Sequence, residues 1–146
     1  GRFSGIKRRM ELRGEVQGVR VYDDFAHHPT AITSTVGGLR ANIGSRKLIA
    51  ILEPRSNTMK MGIHQDTLAD SLMAADRVIL FEDQELKLSL ASIQQQLGEK
   101  AAIKHTIDEI IDLVCQETAA GDEVLIMSNG GFGGIHQRLL TALATR

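Results

Sequence analysis

Apolar positions fall along this chain in short bursts whose period keeps changing, and each change marks an element. Met10 to Val16 and Val19 to Phe25 read as two strands joined at Gln17-Gly18, a pair suited to a tight hairpin turn. The period then lengthens. Ile32, Val36, Leu39 and Ile43 make a helical stripe that opens near Pro29, where a missing N–H is harmless, and stops at Gly44. Leu48 to Leu52 is apolar without alternation, which suits a parallel strand covered on both faces. A second helix is predicted over His64 to Ala75, with Leu68, Leu72 and Met73 on one side, and a short buried strand over Arg77 to Phe81. A helix over Leu86 to Leu97, a strand near Ala102 to His105 and a helix over Ile107 to Thr118 follow. Ile107, Ile110, Ile111, Val114 and Cys115 share one face of that last helix, which places Cys115 in the core. Glu123 to Met127 is the last apolar strand, and the glycines of SNGGFGG turn it into a terminal helix.

Strand and helix thus alternate to the end. The pattern predicts an α/β fold of Rossmann-like type: a mostly parallel sheet with helices on both faces and an antiparallel edge strand supplied by the opening hairpin. Right-handed crossovers then bring the polar strand ends to one rim, the place where open α/β sheets hold ligands. Those ends read DDFAHHP, EPRSNTMK, FEDQE and MSNGGFGG.

A chain of 146 residues is long enough for one well-buried core, so residues 1–146 are expected to form a single domain. Its 17 basic and 18 acidic residues nearly cancel, which argues against nucleic acid or an anionic membrane as partner. Aromatic content of 3% without Trp leaves few platforms on which bases could stack. No segment approaches the length of a membrane span, and GRFSGIKRRMELRG lacks the apolar block of a signal peptide, so a cytoplasmic protein is expected. The basic bias of that opening reads as a solvated edge or a severed junction more readily than as a binding patch.

The densest chemistry is YDDFAHHPTAI, Tyr22 to Ile32. Adjacent carboxylates in a strand point to opposite faces, so only one of Asp23 and Asp24 can serve a shared ligand and the other is free to cap the following helix. His27 and His28 could meet a ligand or form a polar turn before Pro29, the turn weighing more for His28. Neighbouring histidines do not make the separated pair of a helical zinc motif, so no metal site is expected at this corner. Arg55 follows a buried strand, where its planar fork could grip a carboxylate or phosphate; a surface ion pair with Glu53 is the plainer reading. In MSNGGFGG the glycines let backbone N–H groups approach an anion, yet the spacing fits neither G-x-G-x-x-G nor the phosphate loop. By themselves these residues specify a ligand-binding α/β module and name no reaction. A metal-dependent phosphohydrolase using Asp23, Asp24, His27 and His28, with Glu53, Glu82 and Asp83 in reserve, stays open, as does a non-catalytic protein-binding module.

Taken together, FSGIKRRMELRGEVQGVRVYDDFAHHPTAI, LEPRSNTMKMG and MSNGGFGGIHQRLL resemble the carboxy-terminal domain of the Mur ligase family, in the right order and over essentially the whole chain. The resemblance implies the third domain of an ATP-dependent ligase whose amino-terminal domain holds a UDP-sugar and whose central domain carries the phosphate loop and most of the contacts to ATP and Mg2+. The implied reaction joins L-alanyl-γ-D-glutamyl-meso-diaminopimelate to UDP-N-acetylmuramate in peptidoglycan recycling, through an acyl phosphate that the peptide amine attacks. A member that adds L-alanine to the same nucleotide sugar is the nearest alternative. By motif position, Asp24 would contact the ATP ribose and His27 would lie at the interdomain cleft. Arg55 and Ser128 would bind carboxylates of the tripeptide, supported by Asn57, Lys60, Asn129 and Gly130. No catalytic residue and no metal ligand is expected within this domain alone, and its partners would be the other two domains.

Overall fold

Two faces of one sheet account for nearly every buried apolar side chain. The computed structural model describes residues 9–54, 65–86 and 89–146. They form β1 (Glu11–Val16), β2 (Val19–Asp24), α1 (Pro29–Ile43), β3 (Leu48–Leu52), α2 (Gln65–Ser71), β4 (Arg77–Phe81), α3 (Ala91–Leu97), β5 (Ala101–Lys104), α4 (Ile107–Glu117), β6 (Glu123–Met127) and α5 (Ile135–Thr145). The sheet runs β1-β2-β6-β3-β4-β5, parallel throughout except for the β1/β2 hairpin. This is the predicted α/β architecture with its antiparallel edge.

Strand geometry sorts the side chains. Leu48, Ala50 and Leu52 point to one face, where they pack with Tyr22, Leu125, Met127 and the apolar stripes of α1, α2 and α3. Ile49 and Ile51 point to the other, against Val21, Val124, Ile126 and the buried faces of α4 and α5. Every residue of β3 and β6 is buried, which is why neither shows alternation in sequence. Each fully buried Leu or Ile stabilises the fold by roughly 1.5–3 kcal/mol.

The hairpin turns at Gln17 and Gly18, both with positive φ, as a two-residue turn requires. A Cβ on Gly18 would meet that of Ala120 at 2.7 Å, so this glycine answers to space as well as to φ. Pro29 opens α1, and Gly44 closes it at φ 67. Arg40 then locks the end of α1 in place, donating to the carbonyls of Gly44, Arg46 and Ala74 and to Asp76.

Two helix boundaries differ from the pattern reading by several residues. The second helix stops at Ser71 instead of Ala75, because residues 72–75 tighten into turns with Leu72 N–H on Ala69 C=O and Ala75 N–H on Leu72 C=O. Met73, expected on its buried side, is 50% exposed: five positions beyond Leu68, it lies well off the stripe that Leu68 and Leu72 define. The third helix begins at Ala91 instead of Leu86, since Leu86 closes a turn on Asp83 C=O and Glu82 ties down the N–H of Leu90. Cys115 is half-buried, packed against the α4/α5 layer, and burial pushes its thiol pKa up. No helix among the described residues is long and apolar enough to cross a membrane.

Candidate active-site rim

Three parallel strands stop in one row. Met127 of β6 lies level with Asp24 of β2 on one side and Leu52 of β3 on the other, so the residues that follow, Phe25, Ser128 and Glu53, share the carboxyl rim of the sheet. Two backbone bonds extend the pairing past the strands, from Ser128 N–H to Asp24 C=O at 3.1 Å and from Glu53 N–H to Met127 C=O at 3.0 Å.

The adjacent acids diverge, as strand alternation demands. Asp23 turns to the α5 side, where Oδ1 lies 2.9 Å from His136 Nε2 and Oδ2 lies 3.6 Å from Arg13 at the β1 bulge. Asp24 turns to the α1 side. Only 2% exposed, it accepts from the N–H groups of Ala26 at 2.8 Å and Met10 at 2.9 Å, with the Thr35 hydroxyl at 3.4 Å. Neither acid caps a helix, because His28 occupies the N-cap of α1 and makes no side-chain cap bond. Asp24 instead fastens the start of the domain and the β2–α1 corner to each other.

Two clefts open beside Asp24. Ser34, Gly38 and Asn42 of α1 line the larger, about 330 Å³, and Phe25, His27 and His28 the smaller, about 160 Å³; Arg9, Asp24 and Thr35 border both. The larger is of a size that small-molecule sites occupy. A Cβ on Gly38 would meet nothing within 4 Å, so the helix backbone lies open to whatever enters. His27 is half-buried, its ring edge-on to Phe25, and its Nδ1 lies 3.0 Å from Phe25 C=O. A carbonyl only accepts, so Nδ1 carries the proton of that bond.

Of the expected peptide-side residues, Ser128, Asn129 and Gly130 sit further along the rim, outside both cleft linings. Ser128 is fully buried and donates its hydroxyl proton to Glu53 Oε1 in a short bond, while the Gly130 N–H reaches Ser128 Oγ at 3.0 Å. Asn129 Oδ1 is buried with no hydrogen-bond partner. Arg55, Asn57 and Lys60 lie outside the described residues. The structure thus brings Asp24 and His27 to one cleft, and Ser128, Asn129 and Gly130 together beside Glu53. Sequence reading missed Glu53 as Ser128's partner, Met10 and Thr35 as partners of Asp24, and His136 as partner of Asp23. Only the position of Glu53, directly after an apolar run, was a usable signal; the others are long-range pairings.

The opposite rim is internally balanced. Glu123, fully buried at the start of β6, accepts from Tyr22 Oη at 2.8 Å and from Arg46 at 3.0 Å. Burial first, and the Glu123 carboxylate second, push the Tyr22 phenol up from its ordinary pKa. Among the described residues there is no group of three or more His, Cys, Asp or Glu that could hold a metal ion.

Comparison with known proteins agrees with this geometry. The family model described as "Mur ligase, glutamate ligase domain" matches residues 8–130. The chain is 50% identical, over its whole length, to the UDP-N-acetylmuramate–L-alanyl-gamma-D-glutamyl-meso-2,6-diaminoheptandioate ligase of Escherichia coli (strain K12), of which it spans 32%, about a third. A crystal structure of a murein peptide ligase from Psychrobacter arcticus superposes with a TM-score of 0.89 at 50% identity, over 96% of this chain and 30% of that one. A crystallised domain of a putative ligase of the same kind from Haemophilus ducreyi matches with a TM-score of 0.80 at 43% identity, over 93% of this chain and 100% of that one. By the match over residues 8–130 and the identity along its whole length, this chain belongs to the Mur ligase family and contains its glutamate ligase domain.

Proposed function

We propose that this chain is the carboxy-terminal wall of a cytoplasmic, ATP-dependent amide ligase that joins L-alanyl-γ-D-glutamyl-meso-diaminopimelate to UDP-N-acetylmuramate in peptidoglycan recycling. The observation that carries the reading is 50% identity along the entire chain to a ligase named for those substrates. The rest of the enzyme, with the nucleotide-sugar site and the phosphate loop, belongs to an amino-terminal and a central domain. The Mg2+ that the reading implies would be held mainly by those domains.

ATP fits the rim. The clefts beside Asp24 offer a volume of suitable size, a cation in Arg9, polar groups in Asp24 and His27, and an open helix backbone at Gly38. Asp24 and His27 would meet the ribose side of the nucleotide, whose terminal phosphoryl group supplies the activation of the muramate carboxylate. Arg55, Asn57 and Lys60, with Ser128, Asn129 and Gly130, would hold the incoming peptide. What this chain contributes is position: once it closes, the peptide amine is held against the activated carboxyl group, and proximity of that kind lowers the barrier without any group of the domain entering the bond changes.

Crossed substitutions in the full-length enzyme test the division of labour. His27→Ala is expected to raise KM for ATP more than KM for the tripeptide, and Arg55→Ala to do the reverse. Loss of a charged hydrogen bond at Arg55 corresponds to about 1.5–3 kcal/mol. Equal effects of both variants on both substrates count against the assignment.

A further inference from the structure

Asp23 and His136 form a buried polar pair that belongs neither to the nucleotide clefts nor to the residues proposed to hold the peptide. Asp23 is 2% exposed and His136 4%, and Asp23 Oδ1 lies 2.9 Å from His136 Nε2. A carboxylate oxygen accepts, so Nε2 donates. Such a pair adds little net stability, because well-packed apolar side chains of similar volume often serve as well; what it adds is a directional bond with one permitted geometry.

That geometry governs the loop between β6 and α5, whose two ends are tied to consecutive residues of β2. At the start Ser128 N–H donates to Asp24 C=O at 3.1 Å, and at the end His136, in the first turn of α5, reaches the side chain of Asp23. Between the ties, Phe132, Gly133 and Gly134 run left-handed at φ 49, 58 and 68. Phe132 is buried with its ring 5.2 Å from that of Phe81, and a Cβ on Gly133 would come within 2.4 Å of Ile107 Cδ1. The second half of the loop is therefore pressed against the core and has no room to absorb a shift of α5. Its first half, residues 129–131, is only partly buried or exposed, and it moves with whatever moves the helix.

We propose that His136 and Asp23 are positioning residues for the peptide substrate: their hydrogen bond sets where the first turn of α5 stands against β2, and through the loop it sets where Asn129 and Gly130 are presented. This inference rests on reading residues 128–130 as part of the peptide site. The nucleotide side is independent of the pair. Asp23 and His136 line neither cleft, and Asp24 is held on the other face of the strand by the N–H groups of Ala26 and Met10 and the Thr35 hydroxyl.

Steady-state kinetics of the full-length enzyme test the role with three substitutions at one position. In His136→Gln the side-chain amide N–H stands near the place of Nε2 and still donates to Asp23; in His136→Asn the amide is one methylene shorter and falls short; His136→Leu has no donor at all. His136→Asn and His136→Leu are expected to raise KM for the tripeptide tenfold or more while KM for ATP stays within twofold, and His136→Gln to keep both within threefold of the wild type. In an Asp23→Leu background, which lacks the bond already, His136→Leu is expected to raise the tripeptide KM no further. A purely structural role lowers the urea midpoint and the fraction of active enzyme, and gives no selective rise in one KM. Should His136→Leu fail to fold, the contrast between Gln and Asn decides. Equal tripeptide KM in those two variants, or a rise in KM for ATP that matches the rise for the tripeptide, overturns the positioning role while leaving the ligase reading intact. A wild-type enzyme that does not ligate the tripeptide overturns both.

Discussion

Asp24 shows what a single position can and cannot reveal. Strand alternation alone foretells that Asp23 and Asp24 part company, and they do, one to His136 and the other to the β2–α1 corner. Their partners lie up to 113 positions away, beyond the reach of any local pattern. The same limit hid Glu53, whose pairing with Ser128 joins the ends of two strands that adjoin only in the folded sheet. Cys115 was legible in part: a position on the apolar face of an amphipathic helix predicted a core thiol, and the side chain is half-buried against that core, with burial raising its pKa. Alkylation by iodoacetamide at pH 7.5 is therefore expected to run slower in the folded chain than in urea, followed by mass spectrometry. Equal rates would mean that the sulfur is open to solvent.

Elements were read best where periodicity was long and its ends were marked. α1 has Pro29 at its start and Gly44 just past its end, and its limits matched the pattern; α3 has Gly98 just past its end, where its limit matched, and nothing comparable at its start, where it came out shorter, as did the unmarked end of α2. α4 carries a marker of another kind. Thr106 accepts the N–H of Glu109, whose carboxylate returns to the N–H of Thr106, a reciprocal cap. Thr106→Ala is expected to cost about 1 kcal/mol, measured as a lower urea midpoint at unchanged slope. Asp76 does similar work between elements, accepting the N–H of Leu48 and the guanidinium of Arg40. Partial burial opposes its ionisation, yet the hydrogen bonds from Leu48 and Arg40 outweigh it and lower its pKa. A depressed carboxyl pKa means that the unfolded chain binds the proton more readily, so this contribution is full above the ordinary Asp value, about pH 4, and fades as pH falls through the lower folded value. Asp76→Asn is thus expected to destabilise the domain by about 1 kcal/mol at pH 7 and by less at pH 3. A loss that is the same at both pH values would detach the effect from the charge.

At the scale of the whole molecule, the alternation of strand and helix disclosed the α/β class and the rim, while the proposed ligands rest on three motifs in order and on similarity along the whole chain. The sheet is covered on both faces, and a similar H. ducreyi domain gave a crystal structure; both support the expectation that the chain folds alone. Purified residues 1–146 are expected to unfold in one cooperative step and to form no ligation product from ATP, Mg2+, UDP-N-acetylmuramate and tripeptide. Product above a no-protein control, lost on changing Asp24, would show that the domain does more than close a site. The most direct test of the account gives the full-length enzyme ATP, Mg2+ and UDP-N-acetylmuramate with equal concentrations of the tripeptide and L-alanine, and resolves the products by mass. The account predicts the UDP-N-acetylmuramoyl tripeptide as the dominant product, lost when the residues of this chain are removed; a dominant L-alanine adduct, or a tripeptide product that survives that removal, would contradict it.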